Sequence, residues 1–270
     1  MGLFDVIDEI AEKQIMKTDT GDNRIFGVMV GIVAKNYDKD MPGRVCVTIP
    51  VRDKDANELQ WARVAMMSHG KSWGHYFQPE VGDQVLLAFE QGNIEKPYVI
   101  GCVAKDSNSF LRKAFDQDNR YKKITTKNGS TITFEDHPQG EGDKDKITIQ
   151  TANTAHTIMM DNENKKIVVK DKENQNFIEM QTESGHMKIR AEKKLTIEVG
   201  DNITLTLNGN NGSVTLDCSK VTVKTTGNIN MEASGSLKAS GANVSMNASS
   251  MLKANSSGVT SIGGSPIKIG

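Results

Sequence analysis

Few residues in this 270-residue sequence could do chemistry, and they are scattered. Glu80, Asp83 and Glu90 offer carboxylates of the kind a glycoside hydrolase pairs, one to protonate the leaving oxygen and one to attack or to activate water. Their contexts, PEVGDQV and FEQG, are those of turn and rim residues between strands. Trp61 and Trp73 present indole faces of the kind that stack on sugars or bases. Trp61 opens the strand-like run WARVAM and is expected in a core, whereas Trp73, in the loop HGKSWGHYF, is the surface candidate. Cys46, Cys102 and Cys218 are odd in number and far apart, with no C-x-x-C pair. Two of them sit in VCV and GCV, where a small buried thiol is the ordinary role. There is no zinc spacing, phosphate loop, dinucleotide glycine fingerprint or nucleophile elbow. The expectation is a protein that is not an enzyme, with no catalytic residue, cofactor or metal.

Composition narrows the class. Apolar residues make up 37% and aromatics only 5%, both low for a globular chain of 29.5 kDa. Lys and Arg (33) nearly balance Asp and Glu (34), and no basic block longer than Arg120, Lys122 and Lys123 occurs. A nucleic-acid partner is therefore not expected, since it needs a concentrated basic face. The acidic start MGLFDVIDEIAEKQ lacks a signal-peptide core, and no apolar run approaches a membrane span. Synthesis in a reducing cytoplasm is expected.

The elements that would position these residues change character along the chain. Residues 1–24 form an arm in which Leu3, Val6, Ile7 and Ile10 recur at helical spacing over 3–16. Residues 25–104 hold five strand-like runs, FGVMVGIVAKN, GRVCVTIPV, WARVAM, DQVLLAFEQ and PYVIGCV, separated by turn residues. Five strands in about eighty residues suit a small closed barrel of the OB type. Residues 105–121 are a polar linker around Phe110, Leu111 and Phe115, and 122–270 begin with a hairpin turning at Asn128-Gly129.

From there a repeat sets in. Apolar pairs two residues apart return at Ile147/Ile149, Ile158/Met160, Ile167/Val169 and so on to Ile267/Ile269, spaced first by nine to eleven residues and later by seven or eight. A strand with two inward apolar side chains cannot offset the entropy of ordering its backbone. The side chains shrink toward Ala, Ser and Met at the C-terminal end, too little to fill a single coil. Three chains winding into a narrow prism fit better, each layer completed by the neighbours. About fifteen layers at ~4.8 Å would make a rod roughly 70 Å long. A single-chain β-solenoid is the alternative; disorder does not account for so regular a period. The expected fold is all-β: an N-terminal OB barrel followed by an intertwined triple-stranded β-helix, a homotrimeric prism.

A set of ordered motifs in 25–104 resembles the OB domain of the phage baseplate protein V (gpV-like) family and of the type VI secretion spike VgrG. They are Gly31-Ile32-Val33, Asp38 to Pro42-Gly43-Arg44-Val45, Pro50, Trp61-Ala62-Arg63-Val64, Tyr76-Phe77-x-Pro79-Glu80-Val81-Gly82-Asp83, Phe89-Glu90-x-Gly92 and Pro97-Tyr98-Val99-x-Gly101. NGSTITFEDHP and SIGGSPIKI look like the start and end of that family's β-helix. The resemblance implies the homotrimeric central spike of a contractile tail, on a phage or a tail-like particle, assembled in the bacterial cytoplasm and driven mechanically through the target envelope. Relatives of this kind carry a lysozyme domain or a hub domain; here the linker is too short for the first, and twenty-four residues precede the barrel. A separate baseplate hub protein is thus expected, docked through Leu3, Phe4, Ile7 and Ile10. None of His69, His75, His137, His156 and His186 forms the His-x-His pair that binds iron in some spikes. The implied apex partner is a PAAR-like tip protein on Ile262, Gly263, Pro266, Ile267 and Ile269. Trp73 is then expected to touch hub or neighbouring subunit. The competing function is an OB module binding cell-wall polysaccharide, displayed on a fibrous stalk.

Overall fold

The computed structural model describes residues 24–50, 60–138 and 140–268. They divide into two units at Lys193/Lys194. The helix expected over 3–16 lies outside the described residues.

In the first unit, alternating apolar runs close into a barrel of β1 (Met29–Lys35), β2 (Arg44–Thr48), β3 (Gln60–Val64), β4 (Gln84–Phe89) and β5 (Pro97–Cys102). The order around it is β1-β2-β3-β5-β4, with β4 returning to β1. The pairings are antiparallel except β3 with β5. This is the five-stranded Greek-key closure of an OB fold. Inward positions carry Val33, Val45, Val47, Ala62, Val85, Leu87 and Val99, all at most 1% exposed. Gly31 makes room for that core, since a Cβ there would lie 2.7 Å from Leu87 Cδ1.

Strand alternation corrects the expectation for Trp61. On β3 the inward residue is Ala62, paired with Val45, so Trp61 points outward and is only half-buried. A run of apolar and polar residues two apart fixes which side faces in, and a one-residue difference reverses it.

Beyond the barrel, a short helix (Ser109–Ala114) leads to an Asp116–Arg120 clasp. Asp116 accepts the Arg120 backbone N–H at 2.8 Å and its side-chain Nε–H at 2.7 Å. The Arg120 side-chain hydrogen bond is the main reason the Asp116 carboxyl is held below the usual range. Seven strands then follow as a meander: β6 (Tyr121–Thr125), β7 (Thr131–Glu135), β8 (Lys146–Gln150), β9 (His156–Asp161), β10 (Lys166–Asp171), β11 (Phe177–Gln181) and β12 (His186–Arg190). Each pairs antiparallel with its sequence neighbours. The first turn is one residue longer than the Asn128-Gly129 pair suggests: Thr126 and Ser130 still bond, leaving Lys127, Asn128 and Gly129, the last at φ 95°. Later turns are held by aspartates at strand ends. Asp161 accepts from the Asn164 backbone and side chain at 3.0 and 2.9 Å; Asp171 accepts from Gln175 N and from both Asn176 nitrogens.

The second unit opens with another antiparallel meander, β13 (Lys194–Val199), β14 (Ile203–Asn208) and β15 (Ser213–Cys218). Residues 219–268 form neither helix nor strand and are exposed throughout. Over 121–218, then, strands pair within the chain; the opening hairpin was expected, whereas beyond it sequence reasoning expected neighbouring chains to pair the strand edges.

Candidate functional site

The period-2 pattern of β6–β12 puts its apolar residues on one face in unbroken ladders. One runs Ile124–Ile132–Ile149–Ile158–Val169–Ile178–Ile189, each residue opposite the next. A second runs Phe134–Ile147–Met160–Ile167–Met180–Met187 beside it. β13–β15 repeat the arrangement with Leu195–Leu207–Val214 and Ile197–Leu205–Leu216.

Burial on the seven-stranded sheet is inverted. The apolar rungs stay open: Ile149 is 41% exposed, Ile158 42%, Val169 45% and Ile189 52%. On the opposite, polar face Thr157, Asp161 and Val168 are at most 7% exposed. Long side chains fold over that face in a ladder of alternating sign, Glu135–Lys146–Asp161–Lys166. Lys146 Nζ lies 2.9 Å from Glu163 and 3.8 Å from Asp161. Burial opposes ionisation of Asp161, yet the hydrogen bonds from Asn164 and the charges of Lys146 and Lys166 together hold its carboxyl below the usual range. An apolar face of this length, left bare while the polar face is covered, marks an interaction surface.

The barrel adds to this face. In the loop before β4, Trp73, Tyr76 and Phe77 are 65–67% exposed. Phe77 joins Ile124, Ile132, Ile149 and Ile158 around a hollow of about 380 Å³. The loop is anchored by Gln78, which donates to the carbonyls of Asn36 and Arg44 at 2.8 Å, and by the hydrogen bond of Tyr76 to Gln78. Trp73 folds over Gly70, which donates its N–H to the Trp73 carbonyl at 2.8 Å. Ser68 and His75 close the loop's base at 3.0 Å.

The three carboxylates do not form a pair. Glu80 is held by Lys127 at 2.9 Å, tying barrel to sheet. Asp83 accepts the Glu80 backbone N–H at 2.9 Å, within a turn whose Gly82 has φ 92°. Glu90 accepts from the Tyr98 hydroxyl at 2.9 Å, elsewhere on the rim. Among the described residues, no group of three His, Cys, Asp or Glu is arranged to hold a metal. Cys46 is buried, as its place in VCV suggested, and that burial pushes its thiol up; Cys102, expected to be buried in GCV, is instead exposed at the end of β5. Ile262 and Ile267 are exposed, as is Gly263, and the Ser265–Pro266 peptide is cis. Ile269, Leu3, Phe4, Ile7 and Ile10 lie outside the described residues.

Sequence reasoning missed a second hollow, about 450 Å³, on the outer barrel surface between Arg44, Trp61, Arg63, Glu90, Lys96 and Tyr98. Its signal was present: in GRVCV and WARV the arginines fall on outward positions of neighbouring strands.

Two comparisons with known proteins find similarity to injector components. Residues 29–103 match the family described as the type VI secretion system/phage-baseplate injector OB domain. The type VI secretion system spike protein VgrG5 of Pseudomonas aeruginosa is 33% identical over 84 residues, 30% of this chain. The chain matches 11% of that protein's length. The closed β1-β2-β3-β5-β4 barrel and the matched span coincide, Met29–Cys102 against 29–103, so this barrel is similar to the injector OB domain of phage baseplates and type VI secretion systems.

Proposed function

We propose that this protein is the central spike of a contractile tail or tail-like injection system, a homotrimer whose sheets pack apolar face to apolar face and whose C-terminal stretch winds into a triple-stranded β-helix. The bare ladder from Ile124 to Ile189 carries the reading, because one chain leaves it uncovered and three copies around an axis cover it. The exposed stretch 219–268 supports it too. Its apolar residues still recur two apart, as in Val221/Val223 and Ile229/Met231, but they find no strand partner among the described residues. In an intertwined helix those partners are the other two chains. The match of residues 29–103 to injector OB domains supports a baseplate setting for the assembly.

In this reading the protein acts mechanically and without catalysis. A separate hub holds the N-terminal arm, a PAAR-like protein caps the end around Ile262–Ile267, and sheath contraction drives the rod through the target envelope. A dense ladder of backbone hydrogen bonds resists bending, which a load-bearing point requires. Native mass spectrometry tests the reading: the particle should weigh three 29.5-kDa chains. A monomer at micromolar concentration overturns it, and hydrolysis of purified peptidoglycan overturns the absence of catalysis.

A further inference from the structure

The hollow on the outer barrel surface holds an electrostatic problem that its own residues do not solve. Arg44 and Arg63 are direct cross-strand partners on β2 and β3, and both point outward. Like charges directly opposite each other destabilise a strand pair. Among the described residues, neither guanidinium is in an ion pair. Of the two carboxylates that line the hollow, Glu90 is already engaged, accepting from Tyr98 at 2.9 Å and lying 3.7 Å from Lys96, and Glu95 sits at the exposed rim without an ion pair to either arginine among the described residues. Arg63 in turn lies 6.0 Å above the centre of the Tyr98 ring, so its planar group is held over a flat surface. Trp61 lines the same hollow half-buried, on the outward side of β3.

We propose that this hollow binds an acidic saccharide, a sugar chain bearing carboxylate groups. The carboxylate neutralises the Arg44/Arg63 pair through the paired hydrogen bonds that guanidinium geometry favours. A sugar ring lies against the Trp61 indole, and ring hydroxyls donate to Glu95 at the exposed rim. A volume of about 450 Å³ accommodates one or two rings. An acidic peptide fits less well, because it offers its carboxylates without a ring face to lie against the Trp61 indole. A neutral sugar leaves the arginine pair unrelieved. OB barrels use this side of the fold, the β2–β3 face and the β4–β5 loop, to hold chain-like ligands. The inference does not depend on the trimer.

Calorimetric titration of the full-length protein with tetragalacturonic acid tests it, with cellotetraose as the neutral control and a decaglutamate peptide as the competing acidic chain. The expected result is a Kd on the order of 1 mM for tetragalacturonate, weakening as ionic strength rises, with cellotetraose at least about tenfold weaker. Arg44→Gln with Arg63→Gln should weaken binding by about tenfold or more, and Trp61→Ala should weaken it as well. Trp73→Ala, outside the hollow, should leave it unchanged. Both arginines are on the surface, so circular dichroism should show the double variant folded; Lys96→Gln gives a milder second reading of the same charge. The proposal is overturned if tetragalacturonate does not bind at about 10 mM, if the arginine variants bind it as tightly as the parent, or if decaglutamate binds more tightly than the saccharide.

Discussion

Ile158→Asp separates assembly from folding. Ile158 sits on β9, the central strand of the seven, between Ile149 and Val169. It is 42% exposed in one chain. Full burial of an Ile is worth about 1.5–3 kcal/mol, so covering the remaining two-fifths contributes roughly 1 kcal/mol per copy. Repeated along the exposed rungs of its ladder, the same gain reaches several kcal/mol per copy, enough to hold three chains together. Asp at this position removes one such contribution and adds a carboxylate that assembly must strip of water, at several kcal/mol per ion, three times at one level of the axis. In the isolated chain the same Asp faces solvent and costs about 1 kcal/mol through strand propensity. The expected outcome is therefore a chain that keeps its β signal and loses its assembled mass. Size-exclusion chromatography with light scattering reads the mass, and far-ultraviolet circular dichroism reads the strands on the same sample. Thr148→Asp, on the polar face opposite Thr133 and Met159, should keep the assembled mass. An Ile158→Asp protein with unchanged mass refutes the reasoning, as does equal disruption by Thr148→Asp.

Two further substitutions probe what holds the chain itself. Asp161→Ala removes the acceptor for Asn164 N and Nδ2 at a nearly buried position and should destabilise the sheet by about 1–3 kcal/mol in chemical denaturation at neutral pH. Because the folded carboxyl titrates below its unfolded value of about 3.9, its contribution is complete above that pH and is lost as pH falls further, so the difference between the two proteins should shrink only below about pH 4. Gly31→Ala drives a methyl to 2.7 Å from Leu87 Cδ1 and 3.3 Å from the Thr48 carbonyl, and should lower barrel stability by about 1–3 kcal/mol in a thermal melt.

The barrel was legible in sequence because each of its five runs is bounded by turn residues and alternates cleanly. The same alternation misled for Trp61: size and aromaticity argued for burial, but its register against Cys46 puts it outside, and Ala62 takes the inward place. The apolar pairs of the repeat each fell on a strand as far as Val214/Leu216. What the spacing did not reveal was which chain supplies the partner strand. A pair of apolar residues two apart reads alike whether its neighbour lies next in sequence or on another copy, because the code for a face is local and the code for a partner is carried by turns. Between β9 and β11 those turns are closed by Asp161 with Asn164 and by Asp171 with Asn176, which fold the chain back on itself. The hollow on the barrel was missed for another reason. Arg44 and Arg63 are nineteen positions apart, and only the β2–β3 register makes them neighbours.

Acid-closed turns are scarce after Cys218, where the chain changes behaviour, although the β14–β15 reversal just before it is held by Asn208 and Asn211 alone. Up to that point a strand of five or six residues finds its neighbour within the chain, so each sheet can form in a single copy and wait with its apolar face exposed. After it, the segments between apolar pairs are Ser, Gly and Asn with no acidic residue at the strand end to hold a reversal, apart from Glu232 in the whole of 219–268. Two modest apolar side chains per segment do not order a backbone alone. Under the spike reading this sets a sequence of events: the meander sheets meet first and align three chains, and the terminal stretch pairs only once its neighbours are held alongside. Cutting the chain after Cys218 should then leave a trimer, whereas residues 219–270 made alone should stay unpaired. A truncated protein that becomes monomeric would place the assembling force in the terminal stretch and overturn the assignment of the sheet face.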